Sequence, residues 1–190
     1  MRRVEILSEA RRVLLVDGYH SLSVRQVAAA LGISVGNLQY YFPSKDDLVE
    51  TVLTREIDTS LDIMQAAGWD PEDVEASTRQ AVRSLLLHHA SDAGRFYTIA
   101  ESLALHDPRF AQLKARGYAH VFHEVEQLVG ARVPVLDSNQ RKRLTRVLVA
   151  LIDGASLQVQ FGMVDAPADV IEALADDVAA AISHLSENWS

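Results

Sequence analysis

The chain is 190 residues long, 48% hydrophobic, free of cysteine, and carries a formal net charge of −8. These values exclude a disordered tail, a disulfide scaffold and a cysteine-based metal site. No run approaches the roughly 18 uninterrupted apolar residues that a membrane span needs, and Met1-Arg2-Arg3-Val4-Glu5 lacks the apolar centre of a secretion signal, so a soluble cytoplasmic protein with no membrane partner is expected. The acidity is unevenly spread. Residues 1–45 hold six Lys and Arg against three Asp and Glu, a net of +3, which leaves −11 on the other 145. A basic end on an acidic body suits a nucleic-acid-binding end, although a solvated charged face produces the same count.

Almost every segment reads as helix. The spacing predicts a helix over 2–17 stopped by Gly18, then short helices over 24–30 and 35–41 and a longer one over 45–66. Further helices are expected over 71–90, 92–105, 108–130, 138–163 and 168–187. Asp70-Pro71 and Asp107-Pro108 suit helix starts, because Asp can cap and Pro fills the first helical position without losing a needed N–H; Pro167 also falls where a helix can begin. No alternating strand pattern competes. The expectation is an all-α fold of about nine helices, with a helix-turn-helix domain at 1–46 and a larger helical domain at 47–190.

The segment from Leu22 to Phe42 carries the chemistry. Ser23 with Gln26 forms a capping box, and Val27 and Leu31 lie one turn apart on one face. Gly32 follows where a tight turn needs positive φ, and Ser34 can cap the next helix. Leu38 and Phe42 return to the buried side, Ile33 plugs the angle between the helices, and Ala28 is small where they cross. This is the pattern of a helix-turn-helix. An ordinary pair of core helices would need only the glycine and the aliphatics. It would not need the outward face of the second helix, where Val35, Gly36, Asn37, Gln39 and Tyr41 include no carboxylate to repel phosphate and offer amides for base edges. Ser44 with Asp47 makes a second capping box after Pro43, and Lys45 at that helix start suits a phosphate anchor.

The run LSVRQVAAALGISVGNLQYYFPSKDDL resembles the N-terminal domain of the TetR (tetracycline repressor) family of one-component transcription regulators. The resemblance covers about the first quarter of the chain. It implies that Arg25, Ser34, Val35, Gly36, Asn37 and Gln39 face bases or nearby backbone, and that Tyr40, Tyr41 and Lys45 grip phosphates. Gln39 stands where the family often has Tyr, so operator preference does not carry over. An amide there can read adenine directly.

One such module contacts too little DNA for tight specific binding, so a homodimer on two half-sites is expected. Leu144, Val147, Leu148, Leu151, Ile152 and Ala155 form one apolar stripe, and Ile171, Leu174, Val178 and Leu185 form another. The stripes either build a four-helix interface between subunits, which the family pattern favours, or pack inside one subunit. The family resemblance further implies a body that encloses a small-molecule effector. Phe96, Leu103, Tyr118, Phe122, Gln158 and Phe161 are the candidates to line it, with a plain core role as the alternative for each. The excess acid of the body reads mostly as a solubility feature that also discourages wrong DNA contacts, with a cationic ligand as the alternative. His120 and His123 share a helix face but lack nearby metal ligands, so neither metal nor cofactor is expected.

A helical-bundle enzyme is disfavoured. No Glu-x-x-His pair occurs, and His123-Glu124 is followed by Gln127 where a zinc-protease motif requires histidine. The remaining alternative is a DNA-binding regulator controlled by a protein partner rather than a small molecule. The base-reading role predicts that Gln39→Ala relaxes preference at one base pair, by roughly 1–3 kcal/mol at that position. Binding to a panel of single-base operator variants checks this, and equal losses on specific and random DNA would remove the role.

Overall fold

The computed structural model describes residues 2–66, 70, 72–162 and 168–189, with backbone only at 61, 64, 65, 74, 161, 162 and 168. Its elements are α1 (Arg2–Val16), α2 (Gly18–Ser21), α3 (Val24–Ala30), α4 (Val35–Tyr41), α5 (Lys45–Ala66), α6 (Val74–His89), α7 (Asp92–Ala104), α8 (Pro108–Arg132), α9 (Ser138–Gly162) and α10 (Ala168–Asn188). The described residues include no strand. The helix beyond the expected nine is α2, a single turn that follows Gly18 at φ 78°. Pro108 opens α8 as expected. Helix α6 starts later than the proline spacing suggested: its cap is Asp73, whose side chain accepts the Ala76 N–H at 3.0 Å, while Asp70 accepts the Glu72 N–H in a local turn. Pro71 and Pro167 lie outside the described residues. None of the described helices is long and apolar enough to cross a membrane.

The chain divides into two compact units, Met1–Ile57 with Arg95–Lys114, and Asp58–Gly94 with Ala115–Ser190. The first therefore extends well past residue 46. The reason is its core: Ile6, Ala10, Val13 and Leu14 of α1 pack with Val27, Leu38 and Phe42, and the cluster is completed by Leu48, Val49, Val52 and Leu53 of α5 and by Phe96, Phe110 and Leu113. Phe96 and Phe110 are each 1% exposed, and burying each contributes roughly 1.5–3 kcal/mol. Arg11 covers Phe96 with its guanidinium 4.7 Å from the ring centroid and pairs with Glu56 at 2.8 Å. The first unit is thus built from two separated stretches of chain.

In the second unit α6, α9 and α10 pack on one another. Its core joins Val82 and Leu86 of α6, Val125 and Val129 of α8, Leu144, Leu148 and Val159 of α9, and Ile171, Ala175 and Ile182 of α10. Arg79 meets Asp176 and Arg83 meets Glu172, so the pairing order shows that α6 and α10 run antiparallel. A close approach occurs where α6 gives way to α7. A Cβ on Gly94 would sit 1.9 Å from the His89 carbonyl oxygen, so only glycine fits.

His89 itself is buried, with Nδ1 2.7 Å from the Ser156 hydroxyl. Burial, assisted by the neighbouring His88, pushes its pKa down to about 4 from 6.5. The unfolded chain therefore takes up a proton as pH falls through 6.5, while the folded ring stays neutral until about pH 4. Stability fully present above pH 6.5 is lost between those values, by about 2 kcal/mol at pH 5. Urea unfolding at pH 7.5 and 5 should show this loss in the wild type and a clearly smaller one in His89→Gln. Equal pH dependence in both proteins would contradict it.

Candidate nucleic-acid interface

Helices α3 and α4 are joined by a turn that satisfies its own backbone. The Ile33 N–H donates to the Ala28 carbonyl at 3.0 Å and the Gly32 N–H to the Ala29 carbonyl at 3.1 Å, with Gly32 at φ 62°. That is a Schellman ending, which requires the left-handed residue the glycine provides. Leu31 and Ile33 pack half-buried against the core beneath, and Ala28 is buried at the crossing. Ser23 accepts the Gln26 N–H at 3.1 Å, but the Gln26 amide turns to Asp17 instead of closing the box. Ser34 accepts the Asn37 N–H at 3.1 Å, so its side chain caps α4.

The outward face of α4 matches its sequence pattern. Leu38 is fully buried, Val35 is half-buried against the core, and Gly36, Asn37, Gln39 and Tyr40 are exposed. Arg25 of α3 is exposed as well. Tyr40 and Tyr41 stand edge to face, 5.2 Å between centroids, with Tyr40 84% exposed. Arg3, which the sequence pattern did not single out, places its guanidinium 5.3 Å from the Phe42 ring centroid at the end of α4.

The start of α5 is a connected cluster. Ser44 and Asp47 close the full box: the Ser44 N–H and hydroxyl both donate to Asp47 Oδ2, and the Asp47 N–H donates to Ser44 Oγ. Hydrogen bonds from Arg109 first, and from Ser44 second, hold the Asp47 carboxyl below its ordinary pKa. Lys45 does not extend freely into solvent. Its Nζ lies 4.0 Å from the Tyr19 ring centroid, and partial burial lowers its pKa. The Tyr19 hydroxyl donates to Asp46 at 2.8 Å, and burial together with that carboxylate pushes the phenol up to about 12. Tyr19 and Arg109 were not legible beforehand, because their partners lie 27 or more residues away along the chain.

The remaining candidates separate. Phe96 and Leu103 belong to the first unit, Phe96 in its core and Leu103 packed against it. Tyr118, Phe122 and Gln158 belong to the second. Tyr118 and Phe122 stack 6.1 Å apart, the Tyr118 hydroxyl donates to Asp153 at 2.9 Å, and Gln158 is exposed. The Phe161 side chain lies outside the described residues. Of the two stripes, Leu144, Leu148, Ala155, Ile171 and Val178 are buried in the second unit's own core. Leu151, Ile152, Leu174 and Leu185 are half-buried at its edge, and Val147 is 39% exposed. His120 faces Glu124 at 3.8 Å, and among the described residues no group of three or more metal-ligating side chains converges.

A short capped helix with an exposed amide face, set by a Schellman turn on a packed partner, defines a helix-turn-helix DNA-binding protein. Residues 6–52 match the profile of bacterial regulatory proteins of the tetR family, and residues 99–184 match the C-terminal part of BetI-type transcriptional repressors. The chain belongs to the tetR family, which makes it a DNA-binding transcriptional regulator of the repressor type and not an enzyme. It is 24% identical over 160 residues to the nicotine-responsive transcriptional repressor HdnoR of Paenarthrobacter nicotinovorans, covering 83% of this chain and 82% of that one. With the transcriptional repressor KstR of Mycobacterium tuberculosis it shares 32% over 133 residues, 61% of this chain and 60% of that one. A transcriptional regulator from Saccharomonospora viridis, solved in complex with choline, has the same fold at a TM-score of 0.70 and 22% identity, over 93% of this chain and 94% of that one.

The two glycines of this module serve different ends. A Cβ on Gly36 meets nothing within 4 Å and its backbone is helical, so no contact inside the chain demands glycine there. Gly36→Ala should raise stability by up to about 1 kcal/mol, read as a higher melting temperature, and weaken operator binding. Gly32→Ala should do the reverse to stability, costing about 1 kcal/mol because the left-handed turn remains. Operator affinity unchanged in Gly36→Ala would show that nothing approaches that backbone.

Proposed function

We propose that the protein is a homodimeric repressor that holds an operator half-site with each helix-turn-helix and leaves it when a small organic cation binds the second unit. In this reading Arg25, Val35, Gly36, Asn37 and Gln39 meet base edges or adjacent backbone in the major groove. Ser34 caps the helix that presents them, and Tyr40, Tyr41 and Lys45 meet phosphates. Support comes from the exposed face of α4, which carries amide and phenol groups and no carboxylate.

For the dimer, the surface that fits best is the part of the two stripes left outside the core (Val147, Leu151, Ile152, Leu174 and Leu185), extended by Gly154, Leu157 and Val170, which belong to neither stripe. Val147, Leu151 and the 46%-exposed Leu157 of α9 share one face with Gly154, and Val170, Leu174 and Leu185 line α10. Apart from its chain neighbours and the local backbone of its own helix, nothing lies within 4 Å of the position a Cβ on Gly154 would take, so a partner helix can come close there. A four-helix interface of this kind would set the half-sites about 34–36 Å apart.

The observation that carries the ligand class is the cluster of Tyr118, Phe122 and Asp153. It joins two aromatic faces to a carboxylate within hydrogen-bond reach, the combination that recognises alkylammonium groups. The nicotine-responsive relative and the choline-bound neighbour point the same way. Release requires that the cation bind the DNA-free form more tightly, since only differential affinity shifts the equilibrium. The test is to select bound fragments from genomic DNA, then titrate the labelled operator complex with choline, nicotine and neutral isosteres. Release by cations alone is expected, with a weaker response in Asp153→Asn. A complex indifferent to every saturating cation would overturn the effector class.

A further inference from the structure

The structure assigns to Arg109 the role of a positioning residue for the DNA contact: it holds the start of α5 and neutralises two carboxylates of its first turns, Asp47 and Glu50. This rests on the reading that the α5 start meets a phosphate. The first turns of α5 carry the wrong charge for that task. Between Ser44 and Thr54 the one cation is Lys45, against Asp46, Asp47 and Glu50. Acidic groups suit a helix N-terminus, but they oppose a phosphate at the same place.

The fold answers the three carboxylates with two partners. Asp46 accepts from the Tyr19 hydroxyl. Asp47 and Glu50 both receive Arg109, Asp47 through the guanidinium Nη2 and Glu50 through Nε at 2.5 Å. Arg109 therefore brings a positive charge from α8, and it grips the same Asp47 that caps α5 through Ser44. Its neighbour Phe110, 1% exposed, packs edge to face on Tyr19 at 6.1 Å, and Tyr19 lies under Lys45. The Arg109 side chain is 36% exposed and its partners 34% and 25%. Ion pairs so open to solvent add little to folding. Their electrostatic reach is longer, since opposite signs act across about 10 Å at ordinary salt. Phe110 keeps α8 seated when Arg109 is changed.

The experiment measures binding of the full chain to labelled operator and to random DNA, between about 50 and 200 mM salt. Arg109→Gln should melt as the wild type does yet bind both DNAs about tenfold more weakly at low salt, with the gap narrowing as salt rises. Adding Glu50→Gln to Arg109→Gln should recover part of the loss, because it removes an unopposed charge. Wild-type affinity in Arg109→Gln, or a double variant no better than the single one, would overturn the assignment. Lys45→Ala separates the two readings. If it weakens binding while Arg109→Gln does not, only the role of Arg109 falls; if it has no effect on binding, the phosphate contact at α5 falls, and the role of Arg109 falls with it.

Discussion

The burial of Leu38 is the constraint on which the DNA-binding end depends. Helix α4 has seven residues, far below the length at which a helix holds itself together in water. It exists because Leu38 sits at 0% exposure in the core of the first unit, with Phe42 beside it just past the helix end. That single buried side chain fixes the rotation of α4 and so decides which residues face outward. Ser34 and the Schellman turn then satisfy the backbone groups that so short a helix leaves open. Apart from Arg25 on α3, the side chains proposed to meet base edges are carried on an element whose stability is tertiary.

The electrostatics at α5 show a conflict resolved from a distance. Helix starts favour acid, and DNA favours base. The sequence places three carboxylates beside one lysine, and the fold assigns each carboxylate a partner drawn from elsewhere: a phenol from α2 and a guanidinium from α8. Lys45 shares in this arrangement, since it lies on the ring of the tyrosine that holds Asp46.

What could be read from sequence was what is local. Ser23, Gly32, Ser34 and the Ser44–Asp47 pair act within a few residues, and the structure shows these caps and this turn, with Gln26 diverting its side chain to Asp17. The one-turn spacing of Leu38 and Phe42 likewise reports burial directly. Amphipathic stripes on α9 and α10 are less informative, because periodicity marks an apolar face without saying what covers it. Leu144 and Leu148 face their own core, whereas Val147 on the same helix does not. The aromatic candidates are alike in this respect: Phe96 and Tyr118 look similar in sequence yet belong to different compact units. Arg109 was invisible because no spacing rule spans the 62 residues that separate it from Asp47.

The discontinuous build of the first unit carries a consequence for biosynthesis. Phe110 and Leu113, which help complete its core, are encoded after more than half of the chain. As the polypeptide emerges from the ribosome, the helix-turn-helix segment appears before α7 and α8, its core still missing their side chains. A product that terminates early therefore carries the motif without Phe96, Phe110 and Leu113 of its core. The core of the first unit is complete only once the chain has been made through Leu113, by which point residues 58–94 of the second unit have also been made.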